Sequence, residues 1–329
     1  RKKFLLFNLT GFIIGTFYCA LSQNFSSLLI ARIIAGAFGG VLNSIVLSLV
    51  SDLIPFRRRG KALGVVMSAF SITSVFGVPL GLYIANTFDW HYSFYFICFI
   101  GLSFWYLAFK TLPSIKVNSK TKSFKENFSR FKSVLLQKTY YSSFSLTGVL
   151  GFSLFIVIPF ISPYMVKNVG MLEKELPFIY LVGGAFTIMA ARIVGSLCDK
   201  VGSFQTFKWV ASLSIIPVLI LTHLPPETSL LFSLIATTLF TMSGSSRFIP
   251  ALTMVSAVVK SEERGTFMSL ENASRQLSSG LASQVGGLII GTAVNGSLTH
   301  YNVVGYVSVF FSLFAIFIAF RIKNRFNLR

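Results

Sequence analysis

Few side chains in this sequence could do chemistry, and all of those that matter lie in unusual settings. Four arginines, Arg32, Arg192, Arg247 and Arg275, and one carboxylate, Glu271, fall inside long apolar runs. A guanidinium in hydrocarbon costs about 2.5 to 3.5 kcal/mol on insertion scales, so each needs a partner, water or a route to the surface. Glu271 precedes Arg275 by four residues, which on a helix puts acid before base on one face. Such a pair serves as an internal salt bridge or as a titrating site, because burial disfavours a charged carboxyl and a nearby arginine favours it. Arg247 has no visible acidic neighbour. Its balance must come from a carboxylate in another helix, an anionic ligand or a proton-coupled acid, and both Arg247 and Arg275 are expected to face a polar cavity. Arg32, near the outer end of its run, can snorkel or serve a coupling site. Arg192 stands two turns before Asp199 on a similar face and reads as a structural pair or part of a gate. Asn43, Asn272, Gln276 and Gln284 either line the same polar space or bridge helices.

Nothing else assembles into a catalytic set. There is no His-Glu metal motif and no Gly-x-Ser-x-Gly elbow, and His91, His223 and His300 lie near outward helix ends. Cys19, Cys98 and Cys198 are isolated, without the spacing that disulfides or zinc require. No metal, no cofactor and no enzyme activity are expected.

The elements that must position these groups follow from composition. The chain has 329 residues, 53% hydrophobic and 12% charged, against about 25% charged in soluble domains. Ten apolar stretches run at about 4 to 22, 26 to 50, 62 to 86, 93 to 110, 142 to 166, 177 to 198, 206 to 223, 230 to 259, 266 to 294 and 303 to 320. Their length suits bilayer-spanning helices, whereas barrel strands would be about ten residues long and alternating. The predicted class is an all-α membrane protein. The formal charge of +19 would suggest nucleic acid in a soluble protein, but its distribution points elsewhere. The bases of Arg1 to Lys3, Arg57 to Lys61, Lys110 to Lys138, Lys200, Lys208, Lys260, Arg264 and Arg321 to Arg329 all fall on one side of the spans. Only Lys167 and Lys174 fall on the other. The basic side, with the C-terminus, is therefore cytoplasmic, and no nucleic acid partner is expected.

Residues 111–141, polar and rich in Ser and Lys, divide four spans in 1–110 from six in 142–329. This connection is either a surface helix with Phe124, Phe128 and Phe131 among lysines or a solvated linker. The two parts repeat. A shift of 205 residues lays Arg59-Gly60 on Arg264-Gly265, Gly39 on Gly244 and Gly81 on Gly286, an internal repeat of the kind that builds secondary transporters. The mismatch of four and six predicts two spans before Arg1, hence an N-terminally truncated chain. The glycine pairs Gly11/Gly15, Gly36/Gly40, Gly77/Gly81 and Gly287/Gly291 predict close helix approach, with bends at Pro79 and Pro250. Asp52 and Asp199, at basic-side helix ends, are candidate gate carboxylates.

In order along the chain, these features resemble the major facilitator superfamily, most closely its bacterial drug- and sugar-efflux proton antiporters. A signature of Gly, then Asp four residues on and Gly three further, stands as Gly195, Asp199 and Gly202. Arg1-Lys2-Lys3 is similar to the basic end of its first-half copy. Arg32 and Gly36 match an Arg-then-Gly pattern of the fourth helix, and Gly77, Pro79 and Gly81 approximate the antiporter pattern of the fifth. The stretch from Asp52 through Arg59, Gly60 and Lys61 also resembles efflux members. Ser203 and Phe204 depart from the pattern, as does His91.

The resemblance implies a two-bundle fold with ten of twelve transmembrane helices present, and a gate of Arg1, Asp52, Arg59, Gly60, Arg192, Gly195, Asp199 and Gly202. It also implies a monomer in a bacterial cytoplasmic membrane. The function expected is secondary active, proton-coupled efflux of a small organic molecule by alternating access. Substrate or coupling roles fall to Arg32, Asn43, Arg247, Glu271, Arg275 and Gln276. An arginine-rich site suits a neutral or anionic substrate better than a polycation. The alternatives are a membrane-embedded enzyme or a non-transporting membrane sensor.

Overall fold

Polar peptide groups must be satisfied within each segment where lipid replaces water, and the chain answers with helices nearly throughout. The computed structural model describes residues 2–53, 69, 72–112, 124–260 and 263–326. Arg1, Arg59 and Gly60 lie outside the described residues, as do the side chains of Asn43, Asp52, Phe124 and Phe128. The chain divides into two compact units, residues 1–121 and 122–329.

In the first unit, α1 (Lys2–Ala20) packs against α2 (Phe25–Leu53) and against α4 (Trp90–Thr111). Small residues set the approach. A Cβ on Gly15 would lie 2.6 Å from the backbone nitrogen of Ala35, and one on Gly11 would lie 2.5 Å from the Phe38 ring. A Cβ on Gly36, Gly40 or Gly81 would meet no described atom within 4 Å. Before α3 (Val78–Thr87) the chain widens into a π turn over Thr73–Gly77. Pro79 has no N–H for the carbonyl four residues back, which falls inside that wider turn. Asp89 caps α4, its Oδ1 accepting from the backbone N–H of His91 at 2.9 Å. That bond holds the exposed carboxyl below the ordinary carboxylate range. His91 joins Asp89 through Nδ1 and the Ser22 carbonyl through Nε2 at 2.8 Å, tying the α1–α2 turn to the start of α4.

The second unit begins with α5 (Phe124–Leu136). A span then starts as α6 (Tyr141–Phe155) and runs to Val169 through tighter and wider turns. It continues as α7 (Leu176–Val201), α8 (Ser203–Leu213), α9 (Ile215–Thr222), α10 (Leu230–Ser246), α11 (Phe248–Val258), α12 (Arg264–Ile289) and α13 (Tyr301–Phe326). Between α7 and α8 the chain turns at Gly202 with φ +92, a conformation that favours glycine. The helix α6 packs against both α12 and α13. Leu146 and Leu150 of α6 join Phe207, Met254, Phe267 and Ala319 in one buried cluster.

Seven segments among the described residues are long and apolar enough to cross a membrane. The other sequence-predicted spans differ for specific reasons. Residues 62–68, 70 and 71 of the 62 to 86 stretch lie outside the described residues, the 230 to 259 stretch breaks at Arg247, and α12 is too polar. The end of the ninth predicted stretch is also corrected. Instead of running on to residue 294, α12 stops at Ile289, and Gly291–Thr292 pairs antiparallel with Leu298–Thr299. Asn295-Gly296, with Gly296 at φ +82, supplies the turn.

Candidate functional site

Two spans of the second unit break near mid-length, and both breaks have the same cause. Pro217 follows Ser214 by three residues, and Pro250 follows Arg247 by three. Each proline lacks the N–H that would bond the carbonyl four residues back and clashes with it. So α8 ends at Leu213 and α9 starts at Ile215, while α10 ends at Ser246 and α11 starts at Phe248.

Arg247 is fully buried at its own break. Its Nη2 donates to Ser153 Oγ at 2.8 Å, Nη1 to Ser312 Oγ at 2.7 Å and Ser214 Oγ at 3.4 Å, and Nε to the Gly244 carbonyl at 3.2 Å. The hydroxyls are themselves held. Ser153 and Ser312 lie 2.9 Å apart, Ser312 donates to the Ser308 carbonyl, Ser308 to the Ser153 carbonyl and Ser214 to the Ala211 carbonyl. One guanidinium thus ties α6, α10, α13 and the α8–α9 break together through neutral acceptors. Carbonyls at the end of α10 add the negative pole of a helix dipole. The expectation that Arg247 faces a cavity is corrected: its partners enclose it inside the second unit, and among the described residues no carboxylate lies within 4.0 Å of it.

Glu271 and Arg275 do share a face of α12. Glu271 is 3% exposed, and its Oε1 lies 3.9 Å from Arg275 Nε, too long for a hydrogen bond and within ion-pair reach. Both atoms are buried and hydrogen-bond to nothing described. The outer end of Arg275 remains reachable, donating from Nη2 to Asn272 Oδ1 at 2.9 Å and lying 5.6 Å from the centre of the Phe248 ring. Gly151 of α6 makes room for it, since a Cβ there would meet Arg275 Cγ at 3.2 Å. The arrangement is a loosely engaged acid and base, able to part without breaking a tight bidentate bridge.

The remaining predicted residues are dispersed. Gln276 is exposed on α12 beyond this pair, and Arg32 is exposed in the second turn of α2. Arg192 and Asp199 are both exposed on α7, and no ion pair joins them among the described residues. Gly195 accompanies them, and Gly202 marks the helix end. Sequence reasoning missed Ser153, Ser214, Ser308 and Ser312, whose only signal was hydroxyls inside apolar runs, and it missed Pro217.

Comparison with known proteins settles the class. The family model for the Major Facilitator Superfamily matches residues 1–283. The chain belongs to that superfamily. A Major Facilitator Superfamily relative, the uncharacterized MFS-type transporter YwfA of Bacillus subtilis (strain 168), is 26% identical over 94% of this chain and 72% of its own length. Multidrug resistance protein 3 of the same organism is 30% identical over 59% of this chain and 42% of its own length. The superfamily fold recurs in the D-xylose-proton symporter, with a TM-score of 0.71 at 15% identity over 96% of this chain and 80% of that one. A bacterial homolog of the human lysosomal transporter Spinster gives 0.68 at 16% identity, covering 99% and 84%. As a member of the superfamily, the protein is a multi-pass membrane secondary transporter, and its relatives are transporters, not enzymes.

Proposed function

We propose that the protein is a proton-coupled exporter of a small neutral or anionic organic molecule, working by alternating access between two helical bundles. The observation that carries this reading is the Glu271–Arg275 pair, a nearly inaccessible carboxyl 3.9 Å from a partly exposed guanidinium, each with a buried atom lacking a hydrogen bond. Substrate and proton would be exclusive occupants of this pair: substrate engages Arg275 and Glu271 while the carboxyl is ionised, and a proton on Glu271 ends that engagement, so that inward proton movement drives outward substrate movement. Arg275, Asn272 and Gln276 are the groups offered to substrate, with Arg32 and Asn43 contributing from the first unit. Likeness to a multidrug resistance protein supports efflux. The cell membrane of a bacterium, a cytoplasmic C-terminus and a monomeric working unit complete the reading, with Arg1, Asp52, Arg59, Gly60, Arg192 and Asp199 as the cytoplasmic gate.

The test uses full-length protein in liposomes, a panel of neutral and anionic solutes and an imposed pH gradient. Glu271→Gln is expected to abolish gradient-driven accumulation while leaving solute exchange without a gradient within about twofold. Arg275→Ala is expected to lose both. Accumulation by Glu271→Gln at the wild-type rate would remove this carboxyl from coupling.

A further inference from the structure

Away from the Glu271–Arg275 pair, the second unit carries a cavity of about 490 Å³ between α6, α12 and α13. Ser142 and Ser145 of α6 and Ser274 and Ser278 of α12 give it a hydroxyl wall, while Phe314 and Phe317 of α13 give it an aromatic one. Ser279 and Ser283 of α12 return their hydroxyls to the carbonyl four residues back, as Ser312 of α13 does. The four in the groove make no hydrogen bond to any described residue. Arg321 closes one end, its guanidinium 4.7 Å from the centre of the Phe317 ring. Among the described residues no carboxylate lies within 4.0 Å of it.

Depth orders these groups. The antiparallel neighbours α6 and α13 are in register where Ser153 meets Ser308 and Ser312, so counting back along both brings Ser142 level with Arg321. The parallel neighbours α6 and α12 are in register where Gly148 meets Ser274 and Ser278. The α12 serines therefore lie six residues deeper than Ser142, about 9 Å at 1.5 Å per residue. From the membrane surface inward the groove offers a cation with two hydroxyls, then two more hydroxyls, with aromatic surface alongside. A phospholipid presents a phosphate, then ester carbonyls, then acyl chains in the same order. Lys323 and Arg325 follow Arg321 on α13 and Lys138 precedes α6, so this end also favours a net negative headgroup.

We propose that this groove holds one anionic phospholipid, its phosphate on Arg321, Ser142 and Ser145, its ester region on Ser274 and Ser278, and an acyl chain along Phe314 and Phe317. The assignment is independent of which residues couple protons. It is tested by native mass spectrometry of the full-length protein titrated with phosphatidylglycerol or phosphatidylcholine. One phosphatidylglycerol is expected to be retained in preference to phosphatidylcholine. Arg321→Gln is expected to lower its apparent affinity about fivefold, the scale of one basic residue near a charged headgroup. Ser274→Leu with Ser278→Leu is expected to lower it comparably with the charge intact. If that double variant unfolds earlier than wild type in lipid-free detergent, Ser274→Ala with Ser278→Ala replaces it. Equal retention of the two lipids, unchanged affinity in both variants, or full displacement by soluble glycerol phosphate would overturn the assignment.

Discussion

Arg247 shows how a residue can be found in a sequence and still be misplaced. Its type and its position in an apolar run were legible, and so was the need for compensation. Its partners were not, because Ser153, Ser214 and Ser312 come from three other segments at separations that no local pattern relates. Hydrogen bonds from a charged donor contribute about 1.5 to 3 kcal/mol each when the alternative is an unmet group, but here the acceptors keep other bonds when the guanidinium leaves. Ser153 and Ser312 still have one another, and Ser214 still has the Ala211 carbonyl. Most of the loss on truncation should therefore come from the cavity and the lost bridging between four segments. Arg247→Ala is expected to cost on the order of 3 kcal/mol. Arg247→Met, which fills much of the space without a charge to desolvate, is expected to recover most of that loss. Thermal unfolding of the full-length protein in detergent measures both. An alanine variant as stable as wild type would show that the guanidinium is no structural tie. By contrast, Glu271 and Arg275 lie on one helix, and their spacing alone brought them together.

At the scale of elements, the sequence showed where helices run better than it showed which faces they use. Apolar length located the spans because lipid leaves the backbone few other choices. Two kinds of boundary escaped it. A mid-span break at Pro217 hides inside an unbroken hydrophobic string, and the turn at Asn295-Gly296 lies in a stretch apolar enough to pass for more helix. Four-residue glycine spacing also marked Gly11/Gly15 and Gly36/Gly40 equally, although among the described residues only the first pair would bring a Cβ against a neighbouring helix. That difference has a measurable consequence. Gly15→Ala pushes a methyl to 2.6 Å from backbone that cannot swing aside, and overpacking of this kind costs about 1 to 3 kcal/mol. Gly36→Ala meets nothing described and gains helix propensity, up to about 1 kcal/mol. The two variants are expected to shift the unfolding midpoint in opposite directions. A similar shift for both would mean that helix approach does not depend on Gly15.

For the molecule as a whole, the asymmetry of charge between the two ends of the spans sets the orientation. In each unit the loops alternate between basic and nearly neutral, and the described helix ends show which residues share a side. Lys2 and Lys110, at opposite ends of the first unit's sequence, meet one membrane surface because α1 and α4 run antiparallel, as the bond from Lys2 to the Phe109 carbonyl at 2.6 Å shows. In the second unit, Lys138 before α6 and Lys323 near the end of α13 share a side by the same reasoning. Asn168, whose amide clamps the backbone of Leu298 at 2.8 Å in both directions, belongs with the hairpin at the opposite end. Retention of Lys and Arg on the cytoplasmic side predicts the orientation. Single cysteines at Lys138 and at Thr228, in the exposed turn between α9 and α10, separate the alternatives once Cys19, Cys98 and Cys198 are replaced by Ser. In intact cells, a membrane-impermeant thiol reagent is expected to label the Thr228 cysteine and leave the Lys138 cysteine unlabelled until the membrane is opened. Labelling of Lys138→Cys from outside would invert the protein, and with it the side on which substrate is taken up and released.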